Sequence, residues 1–299
     1  MRTTKRFTLG VLERFEREGR GTGILDQYIP FHRVGRGDPA SRGRSHLIVW
    51  GDRQRELLSD LEWVVLLFVT MLGGSVIDVR EQFPLALNDR PHELGDYDVR
   101  AGTSGHPGTL AIAEALQVKH PRVRGVEGFS PWTMTTDFLV TLRNSGGMPF
   151  LLALSCKYDN DATSPRAREL LGLERQYWLA RQVDWLLITP ALFDASVALS
   201  LRRASPWVFD GAVPDTHLDE AVRIVRAFPG RSLTAVLEHL AHSLGDTGSA
   251  QRAYWQAVWI GRLPIDLRSG WRPHLPPVLL TPGAFKQLNP VACGRSSWS

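Results

Sequence analysis

The sequence predicts a mixed α/β domain followed by a smaller helical one, and three observations carry that reading. The middle of the chain holds apolar runs of strand length and composition at 75–84, 134–142 and 150–157. Helical spacing brackets them, at 53–72 before and 165–182 after. Beyond residue 218 the strand pattern gives way to short amphipathic stretches punctuated by Gly230, Gly245 and Gly248.

At 299 residues, with 43% hydrophobic and 22% charged side chains, the chain can bury a sizeable core, and disorder is not expected. A formal charge of +4 permits a polyanionic partner without requiring one. Arg33, Arg36, Arg42 and Arg44 flank glycines near the N-terminus, and Arg252, Arg262, Arg268 and Arg272 gather near the C-terminus. These read either as nucleic-acid contacts, with Arg42, Arg44, Arg252 and Arg262 foremost, or as solvated basic faces. The two cysteines, Cys156 and Cys293, have neither zinc spacing nor the density of a disulfide scaffold. The N-terminus lacks the apolar core of a signal peptide, and the longest apolar run, 63–72, is too short to span a bilayer. A cytoplasmic bacterial protein with no membrane partner is expected.

Residues 1–50 read as a basic arm with one short helix at 9–18. In 53–72, Leu57, Leu58, Leu61, Val64, Val65 and Phe68 fall at helical spacing, with Ser59 and Asp60 in mid-helix and Gly73-Gly74 as the stop. Residues 75–84 form a strand. A Gly-, His- and Pro-rich excursion over 87–132 holds one short helix at 109–116, and an excursion of that length between core strands tends to be functional. The strands 134–142 and 150–157 are joined by Arg143-Asn144-Ser145-Gly146-Gly147, which has turn chemistry. Pro165 opens the next helix, and the apolar 183–189 reads as a strand buried on both faces. Helices at 219–228, 232–244 and 249–260 with a hairpin at 264–271 outline a winged helix-turn-helix; the other reading is a helical bundle that caps the core or binds a partner. The Pro-rich tail from Pro273 is expected to be extended or ordered only by a partner. The division is therefore 1–50 arm, 51–200 catalytic domain, 201–275 winged-helix domain and 276–299 tail.

Three residues stand out within the helix–strand–strand–strand–helix–strand order: Glu62 on the first helix, Asp137 in the second strand and Lys157 at the end of the third. Divalent ions ease phosphodiester hydrolysis by binding the attacking water and the leaving oxygen, and Mg²⁺ favours hard oxygen donors. Asp137 on a rigid strand, Glu62 and the Cys156 carbonyl supply such donors, and Lys157 would orient water or stabilise phosphoryl charge. A helical Glu ahead of Asp-x(n)-S/Q/E-x-K is the restriction-endonuclease-like, PD-(D/E)xK, arrangement.

The segments 57–62 (LLSDLE), 78–85 (DVREQFPL), 134–140 (MTTDFLV) and 173–178 (LERQYW), with 39–45 (PASRGRS), resemble the TnsA family, the endonuclease subunits of heteromeric bacterial transposons. The resemblance runs from about residue 25 to 190. It implies a restriction-endonuclease-like domain followed by a winged helix, and Mg²⁺-dependent cutting of transposon 5′ ends, with Mn²⁺ able to substitute. It implies double-stranded transposon-end and donor DNA as substrate. The expected partners are a TnsB-like transposase and a TnsC-like AAA+ ATPase, in some systems with CRISPR-guided targeting. Glu62, Asp137 and Lys157 fall at the family's catalytic positions, with Glu62, Asp137, Ser155 and Cys156 as the metal set. Ser155 departs from the usual Gln or acid, and a hydroxyl is the weaker ligand. Glu174 reads either as a group near the metal or as a helix-surface ion pair with Arg175 or Arg168. Arg80 and Gln82 would project to one side of their strand, with Gln82 as a secondary site residue. The histidines show no paired metal spacing. Two other readings are a stand-alone restriction or repair nuclease and a DNA-binding assembly factor whose site has decayed.

Overall fold

A short helix, α1, spans Leu9–Arg17. The second helix starts later than its apolar spacing suggests. In this computed structural model, which describes residues 8–35, 44–124 and 128–298, the expected helix at 53–72 divides in two. Arg53–Leu57 is a strand, β2, paired antiparallel with β1, His46–Trp50, and only Asp60–Thr70 is helical, as α2. The reason lies in Ser59-Asp60-Leu61-Glu62, a capping box. The Ser59 hydroxyl accepts the Glu62 backbone N–H at 3.1 Å, and the Glu62 carboxylate accepts from Leu58 N at 2.8 Å and from the Ser59 hydroxyl at 3.0 Å. Ser59 and Asp60 thus start the helix rather than interrupt it.

The chain forms two compact units: 1–63 with 74–189 and 297–299, and 64–73 with 190–296. In the first, β3 (Val76–Pro84) leads into the excursion, which holds the two-residue strands β4 (Arg90–Pro91) and β5 (Gly105–His106), helix α3 (Thr109–Ala115) and the strand pair β6 (Arg122–Arg124) and β7 (Phe129–Pro131). Then come β8 (Thr135–Arg143), β9 (Pro149–Cys156), a single turn α4 (Asp159–Ala162), α5 (Pro165–Leu179) and β10 (Asp184–Ile188). The main sheet has the order β10-β9-β8-β3; β3, β8 and β9 are successively antiparallel, and β9 and β10 are parallel, joined by α5. This is the expected helix, three strands, helix, strand. The terminal strand β10 is at a sheet edge, and its apolar run is buried by packing on its faces.

Helix α5 starts as its sequence dictates, with Pro165 in the first turn and the Ser164 hydroxyl accepting from Ala167 N at 3.2 Å. It lays Leu171, Leu173, Tyr177 and Trp178 on Leu139, Leu151, Ala153 and Leu187 of the sheet. Each fully buried large side chain there stabilises the fold by about 1.5–3 kcal/mol. Arg181, just past the helix, forms an ion pair with Glu93 at 2.9 Å, both side chains wholly buried, and Tyr177 Oη donates to Glu93 at 2.6 Å. The excursion is thereby fastened to the core.

In the second unit, the rest of α2 is apolar all round and buried from Val64 to Val69. Helix α6 (Ala195–Phe209) runs through residue 200 and has Pro206 within it. Its serines and that proline hide the helix in the sequence, and burial of Val197, Leu201 and Ala204 outweighs their low propensity. Helices α7 (Asp215–Ala227), α8 (Leu233–Leu244) and α9 (Thr247–Trp259) lie where three helices are expected. The expected hairpin at 264–271 does not form. Leu267–Ser269 is a 3-10 turn, and Ile265 makes its bridge with Leu279, so this segment pairs with the tail rather than with itself. Nor is the tail simply extended: α10 covers Pro282–Lys286, Phe285 and Val291 are buried, and the Asn289 amide donates to Phe68 O at 2.8 Å. No helix among the described residues is long and apolar enough to cross a membrane.

Candidate functional site

Asp137 lies near the start of β8 and Lys157 just past the end of β9; because these strands are antiparallel, the two meet at one end of the sheet. Asp137 Oδ2 accepts from the Lys157 ammonium at 3.0 Å and from Cys156 N at 2.6 Å. The same ammonium donates to the Cys156 carbonyl at 3.0 Å. The lysine keeps 37% of its side chain exposed while Asp137 is 13% exposed, so the pair faces an opening. Burial works against the lysine's charge, but the Asp137 and Glu174 carboxylates outweigh it and hold the ammonium above its ordinary range.

Glu62 joins this pair through Gln82. The Gln82 amide donates to Glu62 Oε2 at 3.2 Å and lies 3.5 Å from Asp137 Oδ1. Gln82 is buried, with φ of 51°, the left-handed region that a non-glycine residue adopts at a cost of about 1–3 kcal/mol. The β3–β8 register pairs Glu81 with Phe138 and Phe83 with Thr136, so the bent residue falls opposite Asp137. Arg80 takes a different partner, Asp96 at 2.8 Å. Arg80 and Gln82, expected to project to one side of their strand, thus take separate partners, and the left-handed backbone at Gln82 is the local difference between them. Glu62 is buried, not a solvated helix residue, and its pKa is pushed up to about 7, first by burial and then by the neighbouring Asp137.

Ser155 turns to Glu174, whose carboxylate lies close enough to Lys157 and Asp137 to act on their charges. Ser155 is fully buried and its hydroxyl donates to Glu174 Oε1, which also accepts from Thr136 Oγ1 at 2.8 Å and Trp185 Nε1 at 3.2 Å. This corrects one expectation, the surface ion pair. Ser155 is a support for Glu174, because the serine side chain turns to the α5 side, and Glu174 is not a helix-surface ion pair but a buried, three-donor carboxylate. Burial raises its pKa, with Lys157 opposing. Thr136 also holds this group, and its place beside Asp137 in TTD is the signal the sequence offers for it.

Of the expected DNA-binding arginines, Arg42 lies outside the described residues, and Arg44 is exposed. Arg252 pairs with Asp210 at 3.2 Å, and Arg262 with Asp215 at 3.0 Å and Asp219 at 3.3 Å. These acids, distant in sequence, offset the basic cluster expected near the C-terminus.

Among the described residues no three His, Cys, Asp or Glu side chains gather closely enough to hold a metal by themselves. The donor chemistry nonetheless suits Mg²⁺, which is commonly held by one or two carboxylates and keeps several waters. Asp137, Glu62 and the Cys156 carbonyl are hard oxygens, and two carboxylates that share one amide donor leave negative charge for a cation to neutralise.

Residues 74–190 match the family model described as TnsA-like endonuclease N terminal. Over 234 residues the chain is 31% identical to the transposon Tn7 transposition protein TnsA of Escherichia coli, covering 78% of this chain and 69% of that one. The chain belongs to the TnsA family. Its first unit is accordingly a nuclease fold. Gln82, Asp137, Ser155, Cys156, Lys157 and Glu174 lie inside the span matched by the TnsA-like model, and Glu62 lies ahead of it.

Proposed function

We propose that this chain is the DNA endonuclease subunit of a transposition system, and that the Glu62–Gln82–Asp137–Lys157 cluster cuts the 5′ strands at transposon ends. The observation that carries the reading is the meeting of Lys157 and Asp137 at 3.0 Å at an open sheet end, in a TnsA-family chain. Asp137, Glu62 and the Cys156 carbonyl would hold Mg²⁺, or Mn²⁺ in its place. When bound, that ion offsets developing phosphoryl charge and acidifies water. Asp137, tied by Cys156 N and Lys157, presents its carboxylate in one fixed orientation. Lys157, kept cationic by Asp137, stands beside the scissile phosphate, where its charge stabilises the oxygens that become more negative in the transition state. Gln82 holds the two carboxylates together against their repulsion.

A TnsB-like transposase would cut the 3′ strands, and a TnsC-like AAA+ ATPase would couple both to the target. The helices α7–α9, with the Ile265–Leu279 bridge where a wing would be, are proposed as the DNA- or partner-binding module. A second reading, a scaffold whose site has decayed, draws on Ser155 standing where Gln or an acid is usual and on the lack, among the described residues, of a cluster of three His, Cys, Asp or Glu side chains that could hold a metal. The test is strand-resolved cleavage of labelled transposon-end DNA with Mg²⁺ and both partners. Loss of 5′ nicking in Asp137→Ala with 3′ cleavage intact supports the nuclease; a wild type that assembles but never nicks the 5′ strand supports the scaffold.

A further inference from the structure

A cleft of about 610 Å³ lies in the first unit, lined by Lys119, His120, Arg122, Phe129, Arg166 and Glu169 among others. Its charge is lopsided. Lys119 and Arg122 are exposed and carry no ion pair among the described residues, whereas the one acid, Glu169, is engaged by Arg166 at 2.7 Å. Arg166 is itself oriented by a bond to the Lys119 carbonyl at 2.6 Å. His120 adds no charge at neutral pH: burial lowers its pKa, and Arg166 and Arg122 push the same way against the Pro121 carbonyl. Phe129 presents a ring 70% exposed, an unusual state for an aromatic side chain in a strand. On the facing strand β6, Val123 is buried, so Arg122 and Arg124 on either side of it point outward.

The topology places the cleft at the cutting end of the sheet by two separate chain paths. Helix α5 crosses from the end of β9 back to the start of the parallel β10, so its first turn, with Arg166, lies at the end where β9 delivers Lys157. Strand β7 closes at Pro131, a few residues before β8 opens toward Asp137 at that same end. Exposed cations, an exposed aromatic ring and a position beside the scissile end fit a polyanion with stacked bases.

We infer that the Lys119–Arg122–Arg166–Phe129 cleft is a docking surface for the backbone of the DNA duplex beside the cut, with Phe129 set against sugar or base edges. The inference rests on the nuclease reading and adds where the duplex lies. Its test is fluorescence anisotropy of the purified full chain with a labelled 30-base-pair duplex, in Ca²⁺ to suppress cutting, across a salt series. Wild type binds, and Lys119→Ala/Arg122→Ala weakens binding about tenfold and reduces the salt slope by about two, one for each phosphate that the replaced cation had neutralised. Arg122→Lys keeps the slope, and Phe129→Ala weakens binding without changing it. The inference is overturned if wild type does not bind duplex, if the double variant binds with wild-type affinity and slope, or if the double variant loses only association with a partner protein. Cleavage separates the two readings. A double variant that binds and cuts like wild type removes the cleft and leaves the nuclease; a wild type that binds through the cleft but never cuts with its partners removes the nuclease and leaves the cleft.

Discussion

Gln82 donates its amide to Glu62 at 3.2 Å from a backbone bent to φ 51°. The bend and the bond belong together: a regular strand residue would not place its amide between Glu62 and Asp137. Gln82→Ala removes the donor and leaves the buried Glu62 carboxyl facing the partly exposed Asp137 carboxylate, so the metal-free protein should lose about 1–3 kcal/mol. Gln82→Gly loses the same amide but relaxes the bend, and should recover about 1 kcal/mol relative to Ala. Urea unfolding in EDTA reads both values. Equal stability of wild type and Gln82→Ala would show that the amide holds nothing.

The Glu62 carboxyl is pushed up to about 7 from an ordinary 4.5 by burial and by Asp137. The folded chain therefore retains a proton that the unfolded chain releases. Stability from this group is full below the unfolded value, declines as pH rises from about 4.5 to 7 and stays lost above that, roughly 3 kcal/mol at most. Metal-free protein should unfold at lower urea at pH 8 than at pH 5, and Glu62→Gln should flatten that dependence. Mg²⁺ should restore stability at pH 8 more than at pH 5, because binding requires the deprotonated carboxylate. A slope unchanged in Glu62→Gln would assign the pH dependence elsewhere.

Ser155 and Glu174 offer a different contrast. Ser155→Ala removes one of three donors to a buried carboxylate and should cost about 1–3 kcal/mol while leaving Mn²⁺ affinity unchanged. Were Ser155 a metal ligand, the same change would weaken Mn²⁺ binding, which calorimetric titration reads directly.

The core was legible because its signals are local. Strand-length apolar runs, Pro165 after Ser164 and the turn at Asn144 each specify their own element. Asp137 and Lys157 were legible as a pair because an antiparallel sheet brings the start of one strand to the end of the next. The apolar spacing over 53–72 misleads because Leu57 and Leu58 continue the pattern of α2 while belonging to a strand and a turn; the capping box at Ser59–Glu62 was the stronger signal. The donors to Glu174 and the ion-pair partners of Arg252 and Arg262 were not legible, since each is set by tertiary proximity to a residue at least 11 positions away. Helix α6 was hidden because burial, not propensity, makes it helical.

Glu93 illustrates how firmly the excursion is held. Its carboxylate meets Arg181 with no exposure on either side chain and accepts from Tyr177. Glu93→Ala strands a buried guanidinium and should cost about 3–5 kcal/mol, read as a drop in melting temperature. A drop of less than a degree would mean that the arginine finds water or another acceptor.

Lys157 should separate cutting from metal binding. Its ammonium occupies Asp137 Oδ2 at 3.0 Å, so it competes electrostatically with any cation there. Lys157→Ala removes that competitor and should bind Mn²⁺ as tightly as wild type or more so, yet cut at least ~100-fold more slowly, because the charge that steadies the transition state is gone. Asp137→Ala should lose both properties. Lys157→Arg restores the charge but not its point-like geometry, and should recover only part of the rate. Single-turnover 5′-strand cleavage with the partner proteins, set beside Mn²⁺ titration of the same preparations, gives the split. Parallel loss of metal and activity in Lys157→Ala would mean that the lysine organises the donors rather than stabilising the reacting phosphate.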